Sequence, residues 1–221
     1  SDEPSMERLR DYGKRSALIK ELFGEFPIID ALSDFEFYKK GIIKNPIPCI
    51  NHAEEFYGNV PELWTYYCCG PDSGHYPNRF FGMPLQRMRV LGYQLYKYDI
   101  KGFLQWGLNF WYSQLSDHPI DPFKTSDSDG AFPAGDAFVL YPGEGGKPLA
   151  SIRFKAFREA LQDQRALQLL ESLTGREKAL SILESDGEIK FNEYPMCSEW
   201  QLKKREEINN AIKNALCCEV K

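Results

Sequence analysis

Residues 63–69, Leu63-Trp64-Thr65-Tyr66-Tyr67-Cys68-Cys69, and residues 102–111, Gly102-Phe103-Leu104-Gln105-Trp106-Gly107-Leu108-Asn109-Phe110-Trp111, bracket a stretch of helical spacing from Pro84 to Tyr98. Both flanking runs are almost continuously apolar or aromatic, the pattern of strands covered on both faces. In the middle stretch Leu85, Met88, Leu91 and Leu95 share one side, and Gly92 on that side permits close packing. Strand, helix, strand with both strands buried is the signature of a parallel sheet crossed over by helices.

The same alternation continues in both directions. Upstream, Asn45 to Ile50 is a weaker strand, because Pro46 and Pro48 lack a ladder donor, and Phe26 to Leu32 is a short buried strand. Helices are expected over Ser5 to Gly24, Asp34 to Lys40 and Asn51 to Tyr57. Downstream, Ala137 to Tyr141 reads as one arm of a hairpin, Ile152 to Leu173 as a long amphipathic helix, and Glu199 to Leu216 as a charged last helix. Setting the hairpin arm aside leaves four strands, and a (β/α)8 barrel needs four more. The expected fold is therefore α/β: the C-terminal half of a (β/α)8 TIM-type barrel, strands five to eight with their helices, plus a C-terminal helix. Residues 1–175 form the half-barrel and residues 176–221 a helical extension of the same domain. A small, complete, open α/β sheet is the competing architecture.

Composition narrows the function. The 221 residues are 43% hydrophobic and 27% charged, with a formal net charge of −5 and a pI near 5.4. Such a balance argues against a general nucleic-acid binder, which must neutralise many phosphates. No apolar run approaches the ~20 residues of a membrane-spanning helix. No glycine-rich phosphate loop follows any strand, and no cofactor is expected. The six cysteines, among them the adjacent pairs Cys68-Cys69 and Cys217-Cys218, match neither a disulfide framework nor a zinc pattern. His52, His75 and His118 are too scattered for a metal site. Aromatic residues reach 14%, which suits a large core and also a cleft that stacks on sugars.

The chain opens Ser1-Asp2-Glu3-Pro4, the loop entering a helix, so the N-terminal half of the barrel is expected upstream. An adjacent acid pair at a helix start is ordinarily solvated and favourable to the helix dipole. On a loop at the carboxyl rim of a barrel it stands where active sites are built. Asp30, near a strand end on the same rim, is either a secondary site residue or the N-cap of the next helix. Tyr66 and Tyr67 must point to opposite faces, so only one can face the barrel interior. Trp106 and Trp111 are candidates to stack on a sugar or to pack against helices, Asn109 to bind a hydroxyl or cap a loop, and His52 to line the pocket. Arg79 reads as a loop clamp, and Arg153, Arg158 and Asp163 as anchors of the Gly135-to-Gly143 segment.

Taken together, Ser1-Asp2-Glu3-Pro4, the WTYYCCGP run from Trp64 to Pro71, YPNRF from Tyr76 to Phe80, the Gly102-to-Trp111 run, GDAFVLYPG from Gly135 to Gly143, and Arg153 with Arg158-Glu159 and Asp163 resemble the catalytic domain of glycoside hydrolase family 123 and its bacterial relatives, over roughly Ser1 to Leu173. The resemblance implies a (β/α)8 glycosidase that removes β-linked N-acetylhexosamine, N-acetylgalactosamine foremost. It implies a retaining, substrate-assisted reaction through an oxazolinium intermediate, outside the usual two-carboxylate scheme. Carried onto this chain, Glu3 is the general acid/base, and Asp2 orients and stabilises the acetamido group. A general acid must hold its proton until the leaving group departs, which burial or nearby negative charge provides. Asp2 must stay anionic to favour developing positive charge. The resemblance alone favours a secreted or periplasmic location. Its partner is a glycan substrate, and the chain by itself is expected to be inactive. Two alternatives stand beside it: an inactive carbohydrate-binding or scaffold module on the same half-barrel, and a retaining glycosidase with a carboxylate nucleophile such as Asp30.

Overall fold

The computed structural model describes residues 3–219. It is a mixed α/β fold of small sheets and helices. A 3-10 turn at Met6–Arg8 leads into α1 (Leu9–Phe23), followed by β1 (Ile29–Ala31), α2 (Phe35–Lys39), β2 (Asn45–Ile47), α3 (Ala53–Phe56) and β3 (Trp64–Tyr66). Then come α4 (Leu85–Arg89), α5 (Leu91–Lys97), β4 (Gly102–Leu104), the pair β5 (Leu140–Pro142) and β6 (Pro148–Ala150), and the helices α6 (Ile152–Thr174), α7 (Arg176–Leu183) and α8 (Ser198–Glu219).

β1 pairs parallel with β2, Ile29 opposite Asn45, and β3 pairs parallel with β4, Trp64 opposite Gly102. A parallel bridge between Cys49 and Tyr66 joins the two pairs, with the Tyr66 amide donating to the Pro48 carbonyl at 3.1 Å and the Ile50 amide to the Tyr66 carbonyl at 2.8 Å. The four strands therefore lie side by side in chain order, all parallel. β5 and β6 form an antiparallel hairpin.

Side-chain alternation gives the strands two packed faces. On one, Ile47, Cys49 and Tyr66 meet Ala31, Trp64 and Leu104. On the other, Ile50, Leu63, Tyr67 and Phe103 pack against Phe56, Leu91, Leu95 and Phe191. Behind this second face lies the helical layer, where Val90, Tyr93 and Tyr96 meet Leu167, Leu170, Leu183, Trp200 and Ile208. Gly92 is required there: a Cβ at this position would land on the Ala160 carbonyl of α6. Buried charges tie the same helices together. Asp163, fully buried on α6, accepts from Arg89 Nε at 2.6 Å and from Arg205 Nη1 at 2.7 Å. Lys204, also fully buried, reaches the Ile182 carbonyl at 3.0 Å, Ser185 Oγ at 2.7 Å and Glu207 Oε2 at 2.6 Å.

Several sequence-based boundaries are corrected. Strand pairing is shorter than the apolar runs; from Gly102 to Trp111 only the first three residues are strand, and further along the run the Gly107 carbonyl accepts from the Arg79 guanidinium. The expected helix from Pro84 to Tyr98 divides at Val90 into α4 and α5. The hairpin arm begins at Leu140 rather than Ala137. Helix α7 lay outside the expected elements. Asp163 does not anchor the Gly135-to-Gly143 segment, since both its oxygens are taken by arginines of α4 and α8. Arg158 pairs with Glu159 on the surface.

Candidate active site

Glu3 stands just ahead of the turn into α1, with a backbone φ of 39°. A non-glycine residue in the left-handed region costs about 1–3 kcal/mol, and residues held this way concentrate at functional sites. Glu3 lines a hollow of about 360 Å³ with Pro4, Ser33, Asp34, Phe35, His52 and Glu55. Ser33 and Asp34 follow β1, and His52 follows β2, so the hollow lies beyond the carboxyl ends of parallel strands, where α/β proteins bind ligands. Two of its residues also have structural duties. Asp34 caps α2 by accepting from the Glu36 amide at 3.0 Å, and Ser33 Oγ accepts from the Cys49 amide at 3.0 Å. His52 and Glu55 are exposed. Asp2, the other half of the acid pair, lies outside the described residues.

The two tyrosines separate as their alternation requires. Tyr66 is 5% exposed and packs with Ile47 and Cys49. Its hydroxyl is buried and has no hydrogen-bond partner among the described residues. Its neighbour Cys49 connects this face to Glu3: burial pushes the Cys49 thiol up to about 12, and charge on Glu3 acts in the same direction. Tyr67 points the other way. It sits edge-on to Phe103 with ring centroids 4.8 Å apart, in the core between strands and helices. Burial raises its phenol above the ordinary tyrosine range, and the Arg79 charge opposes the shift. Parity turns it to the helix side, away from Tyr66.

Asp30 lies on the opposite side of β1 from Ala31. It shares the face of Leu32, toward α1, and its Oδ2 accepts from the Tyr12 hydroxyl at 2.7 Å. Burial, with the Asp30 carboxylate adding to it, raises the Tyr12 phenol. The N-cap of α2 is Asp34, not Asp30.

The aromatic residues after β4 form a separate platform. Trp106 is 42% exposed, with Phe132 at 4.9 Å and Phe110 at 5.3 Å between ring centroids. Its indole donates to Asp136 Oδ2 at 3.1 Å. Asp136 is fully buried; burial pushes its carboxyl up, and the Arg79 guanidinium opposes the shift. Arg79 also donates to the carbonyls of Gly107 and Asp136. Arg153 donates to the Arg79 carbonyl at 3.1 Å and the Phe138 carbonyl at 2.9 Å, and stacks over Phe81 at 4.3 Å. Two buried arginines thus clamp the loops that hold Trp106. Trp111 is half-buried, its indole donating to the Leu140 carbonyl at 3.0 Å, which fixes it against the hairpin. Asn109 is exposed and bridges Phe138 through its backbone.

Among the described residues no group of three or more His, Cys, Asp and Glu is placed to hold a metal ion, and no helix is long and apolar enough to cross a membrane. Ser33, Glu55, Phe110 and Phe132 join the candidate site although sequence reasoning did not single them out. Ser33 was within reach, one residue past an apolar strand.

Residues 1–170 match the family described as Glycoside hydrolase 123, catalytic domain. Among solved structures, a family 123 glycoside hydrolase from Clostridium perfringens, studied for glycolipid glycan hydrolysis, superposes with a TM-score of 0.58 at 20% sequence identity. The alignment covers 97% of this chain and 39% of that one. No curated protein matches significantly. With the family match extending over most of its length, the chain belongs to glycoside hydrolase family 123 through its catalytic domain.

Proposed function

We propose that the chain supplies the C-terminal half of a (β/α)8 barrel, and that the complete barrel removes β-linked N-acetylhexosamine, N-acetylgalactosamine foremost, from glycans. Four parallel strands in chain order support the architecture. The single observation that carries the chemistry is Glu3 in a hollow beyond the carboxyl ends of the parallel strands.

In this reading Glu3 protonates the leaving oxygen while the acetamido oxygen of the substrate forms a bond to the anomeric carbon and the glycosidic bond breaks. Asp2 holds the acetamido nitrogen and stabilises the positive charge of the oxazolinium. Water then gives a proton to the Glu3 carboxylate and attacks the same carbon, opening the ring with net retention. Asp34 and Glu55 line the Glu3 hollow. Tyr66 hydrogen-bonds the acetamido group, Trp106 stacks on a sugar face, and His52, Asn109 and Trp111 border the substrate.

The test uses the full-length protein and a β-N-acetylgalactosaminide with a poor leaving group. Glu3→Gln is expected to lower kcat by about 10²–10⁴, the usual contribution of a general acid, while sugar binding persists; Asp2→Asn slows the same substrate. A Glu3→Gln enzyme with the parent rate overturns the assignment. Equal cleavage of galactosides and N-acetylgalactosaminides overturns substrate assistance. Sugar binding without hydrolysis by the parent protein identifies a binding module instead.

A further inference from the structure

Cys68 and Cys69 lie one residue past the end of β3, at the same end of the sheet as Glu3. Their sulfur atoms are 3.8 Å apart. The loop that carries them is held in place: the Cys68 amide donates to the Gly70 carbonyl at 2.9 Å, and Asn78 Nδ2 donates to the carbonyls of Cys68 at 3.0 Å and Pro71 at 3.1 Å. Both thiols are free; Cys69 is exposed, and Cys68 is half-buried beside Tyr66. Cys49, the nearby third cysteine, is buried with its thiol directed at the Gly70 carbonyl at 3.7 Å.

We propose that Cys68 and Cys69 are a redox-labile dithiol, closing to a disulfide between adjacent residues by exchange with a small-molecule disulfide. The exposed Cys69 thiolate attacks one sulfur of the reagent; that S–S bond breaks, and one thiolate leaves and takes up a proton. The Cys68 thiol then loses its proton and attacks the Cys69 sulfur, expelling the second reagent thiol. Two hydrogens pass from the protein to the reagent, which ends as two thiols. Proximity on a fixed loop favours the second step over the bimolecular alternative. Burial pushes the Cys68 thiol up to about 12, so Cys69 attacks first and Cys68 resolves. Adjacent α-carbons lie about 3.8 Å apart across a trans peptide, short of the usual ~4.4–6.8 Å of disulfides. The closed ring is therefore easily reduced, a property of regulatory rather than structural bridges.

The full-length protein is equilibrated with oxidised glutathione and its remaining thiols are alkylated in denaturant; the tryptic peptide of residues 45–79 is then weighed. The expected peptide is two hydrogens lighter and carries one alkyl group, at Cys49, and dithiothreitol restores three alkylated cysteines. Cys69→Ser abolishes the loss of two hydrogens. Three alkyl groups after oxidation, a lasting glutathione adduct at Cys69, or a two-hydrogen loss that survives Cys69→Ser each overturns the proposal.

Discussion

Helices α1 and α6 both carry apolar residues at helical spacing, yet only α6 buries them. On α6, Ala160, Ala166, Leu167 and Leu170 are buried together with Arg153 and Asp163. On α1 only Tyr12 is buried, while Leu22 is 63% exposed and Phe23 55%. β1 beside it is an end strand, and its Ile29 is 51% exposed. The contrast teaches that periodicity marks which face of a helix seeks cover, but not what covers it. α6 meets α5 and α8; α1 meets the smaller cluster of Leu32, Phe37 and Ile43.

Substitutions can break or sharpen this contrast. The largest effect is expected from Asp163→Ala, which leaves Arg89 and Arg205 uncompensated and costs about 3–5 kcal/mol, read as a lower urea midpoint. Next, Leu167→Ala, a cavity in the best-packed layer, costs about 2–5 kcal/mol, whereas Leu22→Ala stays within about 0.5 kcal/mol. Equal costs at Leu167 and Leu22 would erase the distinction between the two helices. The smallest effect is a change of slope with pH. Asp136 has a carboxyl raised by burial, so the folded state holds its proton more tightly than the unfolded chain. Its contribution is fully present below the unfolded value near 4 and is lost as pH rises through the raised one. Asp136→Asn is expected to flatten that decline in a denaturation series from pH 4 upward. A variant with the parent's slope would show that Asp136 does not govern it.

The order of elements was legible because buried strands and amphipathic helices carry different periods, and α6 is found almost to the residue. Strand ends were not. The aromatic run after Leu104 is as apolar as the strand, but within it the Gly107 carbonyl meets an arginine distant in sequence, which no local pattern encodes. Helix α7 was missed although Gly175 stops α6 and Ala179 and Leu183 are one turn apart. At the site, Glu3 and Trp106 were readable as residue types on rim loops. The placement of Asp30 and Tyr67 was not legible, because an apolar strand does not say which face looks inward. Counting alternate positions from the buried Leu32 would have turned Asp30 away, and Tyr66 and Tyr67 were distinguishable only once the interior face was known.

Gly92 reaches further than its own contact. By letting α5 rest against the backbone of α6, it sets the height at which α6 begins, and Arg153 in its first turn suspends the loops beneath Trp106. A methyl group added at position 92 would lift that suspension point. The indole plane would be misaligned from a distance, with every residue of the aromatic platform left unaltered.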